Sequence, residues 1–283
     1  MQVKGKTFVV TGSGSGMGRE LTLLLLRKGA KVAAVDINEA ALHETRALAG
    51  ENAERMSEHV VNIGEREAVM ALPEAVVKAH CCVDGVINNA GIIQKFLRIS
   101  ELECGDIERV VKINFWGTVY MTRAFLPYLM RRPEGHIVNI SSMGGFLPVP
   151  GQTAYGASKA AVKLFTEGLH SELLDTNVHV TLVFPGAIAT NISANSGVTM
   201  VGSNRTAETS KIKMTLPSRA AEIMVDGIEK NKYHVLVGSD AKTMFLLTRL
   251  MPEWAAKLIY SQMRELLPNR PPLQDVAAGP DCG

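Results

Sequence analysis

The sequence predicts an α/β fold in which a doubly wound parallel sheet of about seven strands forms a single domain with a C-terminal helical extension. Short apolar runs alternate with longer segments in which apolar residues recur every three or four positions. The short runs are nearly continuous in apolar content, which is typical of parallel strands buried on both faces. The 283 residues, of which 46% are hydrophobic and 20% charged, suit one large globular domain rather than a disordered chain or a repeat array.

Strands are predicted where the short apolar runs stand, and helices where the periodic segments lie between them. The predicted strands, in chain order, are residues 7–11, 31–36, 55–61, 85–88, 136–141, 178–184 and 233–237. The predicted helices are residues 18–28, 39–49, 65–78, 102–130 and 152–175, with a further helix near 220–229. Strand, helix and strand repeated in this way imply right-handed crossovers.

Three segments fall outside this alternation. Residues 191–216 are rich in Ser, Thr, Asn and Gly, which predicts a long loop, and loops of this length in compact domains are usually functional or disordered. Residues 238–267 have apolar residues at helical spacing, and Pro252 is expected to divide this extension into two helices. The Pro- and Gly-rich residues 268–283 are expected to form a disordered tail.

The charge and the cysteine content narrow the function classes. Thirty Lys and Arg against 28 Asp and Glu give a net charge of +2, too small to hold nucleic acid or a membrane, so the expected partner is a small molecule. Residues 1–8 lack the apolar core of a signal peptide and no run suits a membrane-spanning helix, which predicts a cytoplasmic protein. No metal site is predicted, because the cysteines form no CxxC pattern. His80, Cys81 and Cys82 are adjacent but lack a fourth ligand, so a buried helix end is the preferred interpretation.

A glycine-rich turn follows the first predicted strand and precedes the first predicted helix. Residues 11–18 read TGSGSGMG, in which Gly12, Gly16 and Gly18 remove Cβ atoms where the chain turns, where a ligand approaches and where the helix packs on the sheet. The N–H groups at the start of the helix then face a pyrophosphate. Because the strand and the helix that this motif requires are both present, the turn predicts a dinucleotide-binding site.

Asp36 ends the second predicted strand, where its carboxylate can accept hydrogen bonds from the ribose hydroxyls of a dinucleotide. The same carboxylate would repel a 2′-phosphate, and no Lys or Arg stands at position 13, 15, 37 or 38 to attract one. The sequence therefore predicts NAD as the cofactor, with NADP as the less favoured choice. The alternative is that Asp36 serves only as the N-cap of the helix that begins near Asn38.

Tyr155 and Lys159 are four residues apart on a predicted helix, so both project from one face. A nearby ammonium favours the phenolate of a tyrosine, whose pKa is otherwise about 10, and such a pair can donate a proton to a carbonyl or accept one from an alcohol. A Tyr-x-x-x-Lys pair alone also occurs by chance on solvated helices. Ser142 strengthens the interpretation, because it lies at the carboxyl edge of the sheet, where doubly wound folds bind their ligands.

Together these motifs resemble the short-chain dehydrogenase/reductase family over residues 5 to 237. The glycine turn matches the family's TGxxxGxG, and Tyr155 and Lys159 match its YxxxK at a 13-residue spacing that selects Ser142 rather than Ser141 as its serine. Further matches are the NNAG of residues 88–91, Asn114 in the predicted helix at 102–130, and the PGxxxT turn formed by Pro185, Gly186 and Thr190. The resemblance implies a Rossmann-type nucleotide-binding fold.

The resemblance also implies a four-residue catalytic site. Tyr155 would act as the acid/base, and Lys159 would lower its pKa and bind the nicotinamide ribose. Ser142 would hydrogen-bond the substrate oxygen, and Asn114 would hold a water in a proton relay. The implied cofactor-binding residues are Gly12, Ser15, Gly16, Met17, Gly18, Asp36, Ile37, Asn62, Ile63, Asn89, Ala90, Gly91, Tyr155, Lys159, Pro185, Gly186, Ile188 and Thr190. Asn62 departs from the family, which often carries Asp at this position to contact adenine.

The activity implied is that of an NAD-dependent oxidoreductase that interconverts a secondary alcohol and a ketone. The apolar residues after Ser142 favour a largely apolar substrate. Residues 1–237 would form the catalytic domain, with 191–216 as its substrate loop. One alternative is an NADPH-dependent ketoreductase of lipid or acyl-thioester metabolism. Another is a non-catalytic regulator that senses NAD, which would be expected to lose Tyr155, Lys159 or Ser142.

The resemblance further implies a homodimer or homotetramer, with the predicted helices at 102–130 and 152–175 in the main contact. The extension at 238–267 combines its apolar residues with four basic ones, Lys242, Arg249, Lys257 and Arg264. Such a basic amphipathic pair of helices can lie on a membrane. A cover over the substrate cleft or a subunit contact is the preferred interpretation.

Overall fold

Seven parallel strands form one sheet at the centre of the protein. In chain order they are β1 (Thr7–Thr11), β2 (Lys31–Asp36), β3 (Met56–Val60), β4 (Gly85–Asn88), β5 (Gly135–Ile140), β6 (Val178–Pro185) and β7 (His234–Val237). Their spatial order is β3-β2-β1-β4-β5-β6-β7, and every neighbouring pair is parallel. The computed structural model describes residues 1–190, 192–198, 214–264 and 267. The rest of the predicted loop and the predicted tail at 268–283 lie outside the described residues.

Helices cover both faces of the sheet, as the alternating pattern predicts. In the described residues they are α1 (Gly16–Arg27), α2 (Glu39–Ala49), α3 (Arg66–His80), α4 (Cys104–Val111), α5 (Gly117–Leu129), α6 (Thr153–Glu172), α7 (Ile192–Asn195), α8 (Pro217–Glu229), α9 (Ser239–Leu250) and α10 (Pro252–Met263). Side chains alternate along β1, so that Phe8 and Val10 lie in the core beneath α1 and α8, whereas Val9 lies in the core beneath α3 and α5. The predicted doubly wound α/β fold is therefore confirmed.

The order of the strands reverses beside β1. The chain leaves β1 in one direction to form β2 and β3, and then returns to place β4 on the opposite side of β1. The loops that leave the carboxyl ends of β1 and β4 therefore diverge and open a crevice between them. Ligands of doubly wound sheets bind in such a crevice.

Each predicted strand boundary lies within one residue of the observed one. The predicted helix at 102–130 is present from Cys104 to Leu129, but it is not a regular α-helix throughout. The segment forms α4 and α5, which are joined by a π-helical turn at Lys112–Trp116. This wide turn contains Asn114, which is fully buried. A π turn accommodates an extra residue in a helix and is frequent at functional sites.

The C-terminal extension forms two helices that meet at Pro252, as expected for a proline at the first position of a helix. Ala241, Ala255 and Ile259 are buried, whereas Leu250 and Trp254 are 68% and 49% exposed. Among the residues that the structure describes, no helix combines the length and the apolar content needed to cross a membrane.

The end of α3 explains the neighbouring histidine and cysteines. His80 is buried in the last turn and its Nε2 lies 2.8 Å from the hydroxyl of Ser57, and Cys81 ends the helix in the left-handed conformation with φ 72°. The interpretation as a buried helix end agrees with this placement. Within the described ranges, no three His, Cys, Asp or Glu side chains are grouped as a metal site would require.

Candidate active site

The glycine turn between β1 and α1 is too narrow for side chains. A Cβ atom on Gly18 would lie 2.0 Å from the carbonyl oxygen of Gly12, and one on Gly12, whose φ is +70°, would lie 2.9 Å from Nδ2 of Asn89. These glycines therefore let the turn pack closely against its own start and against the chain after β4. The first N–H groups of α1 point out of the same turn, and such N–H groups favour an anion.

Ser15 and Gly16 connect this turn to the chain after β6. The Nδ2 of Asn195, in α7, donates to the hydroxyl of Ser15 at 2.7 Å. A Cβ on Gly16 would lie 3.3 Å from the methyl carbon of Thr190. Met17 and Ile188 both pack, half-buried, against the core beneath α1 and α8. The glycine turn and the predicted PGxxxT turn are thus neighbours in space, although they are more than 160 residues apart in sequence.

Asp36 lies at the carboxyl end of β2 and faces the glycine turn. Its carboxylate accepts from the N–H of Gly14 at 2.8 Å and from the N–H of Asn38 at 3.0 Å. The N-cap of α2 is Asn38, whose side chain accepts from the N–H of Ala41 at 3.1 Å, so Asp36 does not act as the N-cap. Ile37 follows it at the surface, with 66% of its side chain exposed.

Arg19 contacts the glycine turn from the first turn of α1, which the sequence did not lead us to expect. Its guanidinium donates to the carbonyl of Gly14 and to the hydroxyl of Thr45, and it pairs with Glu44 at 2.7 Å. The pairing with Glu44 offsets its charge. Its position one residue after Gly18, on the first turn of α1, was the available sequence signal.

The loops after β3 and β4 bring further predicted residues to the crevice. Asn62 turns the chain after β3 by accepting from the N–H of Gly64 at 3.0 Å, and Ile63 is buried. The hydroxyl of Thr11 accepts from the N–H groups of Asn89 and Ala90, both at 3.0 Å. Thr11 therefore ties the predicted NNAG segment to the end of β1.

Tyr155, Ser142 and Lys159 lie together at the carboxyl end of β5. Ser142 follows this strand, and its hydroxyl accepts from the N–H of Gly144 at 3.0 Å. A Cβ on Gly144 would lie 3.5 Å from this hydroxyl and 3.3 Å from the ring of Tyr155, which lies on the first turn of α6. The side chain of Lys159 is buried one turn further along α6, and its Nζ donates to the carbonyl of Ile140 at 2.9 Å. The neighbouring Ser141 donates instead to the backbone carbonyl of Lys159 at 2.7 Å, which leaves Ser142 as the serine on the crevice side.

Burial controls the titration of both ionisable groups. It raises the pKa of the Tyr155 phenol above 10, and the hydrogen bond from Ser142 opposes this rise. Burial also lowers the pKa of Lys159 to about 8. The lowering of the Tyr155 pKa by Lys159 that the resemblance implies stays a prediction.

Asn114 joins three parts of the site. Its Oδ1 accepts from the N–H of Ile92 at 2.8 Å, and its Nδ2 donates to the carbonyl of Ile92 and to the hydroxyl of Ser158, both at 3.0 Å. A Cβ on Gly91 would lie 3.2 Å from both Oδ1 of Asn114 and Nζ of Lys159. Both donors of the amide are used by the protein, so the side chain can hold a water only through its oxygen.

The turn after β6 depends on a residue that the sequence analysis missed. Gly186 donates its N–H to the carbonyl of Val237 at 2.9 Å, and Ala187 donates its N–H to Oδ2 of Asp240 at 2.7 Å. Asp240 is on the first turn of α9. The only local signal was an acidic residue just after a glycine at a helix start, which many helices share.

The loop after Ser142 is apolar and contacts the C-terminal extension. The ring of Phe146 lies 5.4 Å from that of Phe184, in β6, and 5.3 Å from that of Phe245, in α9. A Cβ on Gly151 would lie 2.9 Å from Leu267. These contacts agree with the interpretation of the extension as a cover for this side of the cleft.

An open cavity of about 460 Å³ lies beside the same loop. Gly144–Pro150 line it together with Gly156, Ala157 and Ala160 of α6. Gly144 also borders Tyr155, because a Cβ on Gly144 would lie 3.3 Å from the ring of Tyr155. The cavity therefore adjoins the part of the site that contains Tyr155 and Ser142.

Comparisons with known proteins agree with this arrangement. Residues 6–200 match the short chain dehydrogenase family. The chain is 40% identical over 270 residues to SadH of Mycobacterium tuberculosis, whose naming as an oxidoreductase is provisional, and the alignment covers 94% of this chain and 98% of SadH.

Two solved structures share the fold. One is a short chain dehydrogenase/reductase from Burkholderia phymatum in complex with NAD, with a TM-score of 0.77, 23% identity, and coverage of 97% of this chain and 99% of that one. The other is a short chain dehydrogenase from Burkholderia cenocepacia in complex with NADP, with a TM-score of 0.76, 25% identity, and coverage of 92% and 99%. With a family match over residues 6–200 and a relative 40% identical along nearly its whole length, the protein belongs to the short-chain dehydrogenases and is an oxidoreductase of that family.

Proposed function

We propose that the protein is an NAD-dependent oxidoreductase that interconverts a secondary alcohol and a ketone on a largely apolar substrate, with Tyr155 as the acid/base. The observation that carries this proposal is the group formed by Tyr155, Ser142 and Lys159 at the carboxyl end of β5, beside the glycine turn. Proton transfer to a carbonyl oxygen needs a donor of this kind within hydrogen-bond reach of that oxygen.

The crevice fits a nicotinamide dinucleotide. Gly12 and Gly18 allow the tight turn that brings the start of α1 to the end of β1, and the N–H groups of α1 are available to phosphates. The bound dinucleotide supplies hydride transfer, while the protein provides orientation and proton transfer. The residues proposed to hold it are those of the glycine turn, Asp36 and Ile37, Asn62 and Ile63, Asn89 to Gly91, Tyr155 and Lys159, and the turn from Pro185 to Thr190.

The side chains of the site divide the proton chemistry between them. Tyr155 donates its hydroxyl proton to a ketone oxygen during reduction and accepts the proton of an alcohol during oxidation. Ser142 holds that same oxygen by a hydrogen bond. Lys159, whose pKa is about 8, carries its charge at pH 7, and a bound ribose would give its ammonium a second acceptor beside the Ile140 carbonyl.

The test of this chemistry is Tyr155→Phe. We expect the turnover number to fall by about a hundredfold to ten-thousandfold, because one positioned proton donor contributes about that much, while calorimetry shows NAD binding unchanged. Tyr260→Phe, at an exposed position on α10, is the matched control and should retain full activity. A panel of steroid, fatty and sugar alcohols with NAD, followed by the nicotinamide absorbance, identifies the substrate class. Full turnover by Tyr155→Phe would refute the mechanism.

The preference for NAD rests on Asp36. Its carboxylate lies against the glycine turn, where it can accept from ribose hydroxyls and repels a 2′-phosphate, and Glu44 offsets the nearby Arg19. We expect calorimetry to give a tighter dissociation constant for NAD than for NADP, and Asp36→Ser to remove most of the difference. Glu39→Gln, an exposed acid three residues on, is the control and should keep the preference. Tighter binding of NADP by the wild type would overturn this assignment.

The apolar preference for substrate rests on the loop after Ser142. Phe146 of this loop packs against Phe184 of β6 and Phe245 of α9, and Leu147 is fully buried, so the wall beside Ser142 is hydrophobic. We expect kcat/KM to rise with the length of an alkyl chain on the alcohol. A preference for sugar alcohols would contradict this expectation.

A homodimer or homotetramer is proposed from the family and from the surface of α5 and α6. Trp116, at the start of α5, is 45% exposed, and Leu164, on α6, is 70% exposed. Light scattering should show more than one copy, and Leu164→Glu should reduce the assembly. A monomeric wild type would refute the proposal.

A further inference from the structure

The first turn of α9 reaches the turn that follows β6. We propose that Asp240 is a positioning residue for the nicotinamide end of the cofactor site, although it belongs to the C-terminal extension. The inference rests on the proposed function, since it concerns the Pro185–Thr190 turn that would seat the nicotinamide. Its basis is the hydrogen bond from the N–H of Ala187 to Oδ2 of Asp240, at 2.7 Å.

The chain leaves space for this carboxylate on two sides. A Cβ on Gly186 would lie 2.3 Å from both carboxylate oxygens of Asp240, and a Cβ on Gly238 would lie 2.3 Å from Oδ1. Gly238 also has a φ of +101°, which other residues rarely adopt. Two glycines from different strand ends therefore make room for one side chain, and a longer acid does not fit between them.

Asp240 is one of several residues whose hydrogen bonds hold the Pro185–Thr190 turn in place. Gly186 is held by Val237 of β7, and Ala187 also accepts from the N–H of Thr215 at 2.8 Å. At its far end the turn reaches the glycine turn between β1 and α1, where Thr190 lies against Gly16. The position of the Pro185–Thr190 turn therefore sets the distance between the proposed binding sites of the phosphates and of the nicotinamide.

Loss of the carboxylate leaves the Ala187 N–H without its acceptor in a part-buried site. An unpaired N–H at Ala187 destabilises the observed conformation of the turn. A cofactor that requires this conformation should therefore bind more weakly. A purely structural role is the alternative, since an acidic side chain in the first turn of a helix stabilises that helix through its dipole.

Asp240→Glu separates the two roles. It keeps the negative charge in the first turn of α9, so a purely helix-stabilising role predicts normal cofactor binding. The extra methylene moves the carboxylate into the space beside Gly186 and Gly238, so positioning predicts weaker binding. Asp240→Asn keeps an acceptor oxygen at the same distance and should restore binding.

The experiment is calorimetric titration of NAD into the full chain, with thermal unfolding of the cofactor-free proteins measured alongside. We expect Asp240→Glu and Asp240→Ala to raise the dissociation constant about tenfold, since about 1.4 kcal/mol corresponds to that factor, and Asp240→Asn to stay within about threefold of the wild type. Glu253→Ala removes the acid from the first turn of α10, where it pairs with Lys257, and should bind NAD like the wild type.

Each outcome is decisive. Wild-type affinity in Asp240→Glu overturns the inference and leaves the proposed function standing. A wild type that binds neither NAD nor NADP overturns the proposed function, and the inference with it. If Asp240→Ala does not fold, the contrast between Glu and Asn at this position carries the test.

Discussion

Replacing Lys159 by Met should make the cofactor-free protein more stable. Lys159 is 4% exposed, and its ammonium donates to the carbonyl of Ile140. Burial lowers its pKa from its usual 10.5 to about 8, which means that the fold holds the charged form at a cost.

The size of this cost follows from the pKa. Each pH unit corresponds to about 1.4 kcal/mol, so the interval from 10.5 to about 8 gives roughly 3 kcal/mol at pH 7. Met removes the charge but leaves the carbonyl of Ile140 without its donor, which reduces the expected gain in unfolding free energy by about 1 kcal/mol. The variant should therefore gain about 2 kcal/mol, a rise of roughly 5 °C in the melting temperature.

The stability gained by Lys159→Met over the wild type should shrink as the pH rises. Below about pH 8 the wild type carries the whole cost, because Lys159 is protonated in both the folded and the unfolded chain. Between about pH 8 and 10.5 the unfolded chain binds more protons than the folded one, so the wild type becomes more stable as the pH rises and the gap closes. Urea unfolding at pH 7 and at pH 10 measures both values.

Lys163→Met is the matched control for this prediction. Lys163 lies one turn further along α6, partly exposed and paired with Glu167 at 2.7 Å, so its loss should not stabilise the protein. A Lys159→Met variant that is less stable than the wild type at pH 7, or a gap that stays constant up to pH 10, would refute the reasoning.

Two further predictions concern the glycine turn and the titration of a buried histidine in the sheet. Gly18→Ala places a Cβ 2.0 Å from the Gly12 carbonyl oxygen and should abolish NAD binding in calorimetry. The control is Gly105→Ala on α4, which has open space around it and should raise the free energy of unfolding by about 0.5–1 kcal/mol. NAD binding by Gly18→Ala equal to that of Gly105→Ala would contradict the tight packing at Gly18. Burial lowers the pKa of His136 to about 3, so stability falls as the pH drops from 6.5 toward 3, because the unfolded chain takes up the proton first. At pH 4.5 this contribution reaches about 3 kcal/mol, and His136→Gln should lose less stability than the wild type between pH 7 and 4.5 in urea unfolding; an identical loss would contradict it.

The strands could be predicted closely because a strand buried on both faces is a continuous apolar run with sharp ends. The π turn at Lys112–Trp116 could not, because apolar spacing is nearly the same in an α-helix and in a helix with one wide turn. Asn114 was found by its motif, but the bonds that its side chain makes to Ile92 and Ser158 depend on how α6 packs against the loop after β4.

The residues of the candidate site also fall into two groups, those that a local pattern predicts and those that depend on contacts with distant parts of the chain. The glycine turn and the spacing of Tyr155 and Lys159 are local features, so the sequence shows them directly. Arg19 and Asp240 act through partners that are distant in the chain or unmarked by any motif. Burial also raises the pKa of Tyr155, and this effect depends on how much water the folded chain excludes, which no spacing of residues reports.

The ring contacts among Phe146, Phe184 and Phe245 link the loop after Ser142 to α9. Because Phe245 cannot leave this cluster without uncovering the other two rings, unwinding of α9 and opening of the loop are one event. The amides of α9 should therefore exchange with solvent hydrogen at the rate at which the loop opens. A ligand bound beside Ser142 should therefore slow hydrogen exchange in α9, so exchange in this helix would report whether the site is occupied.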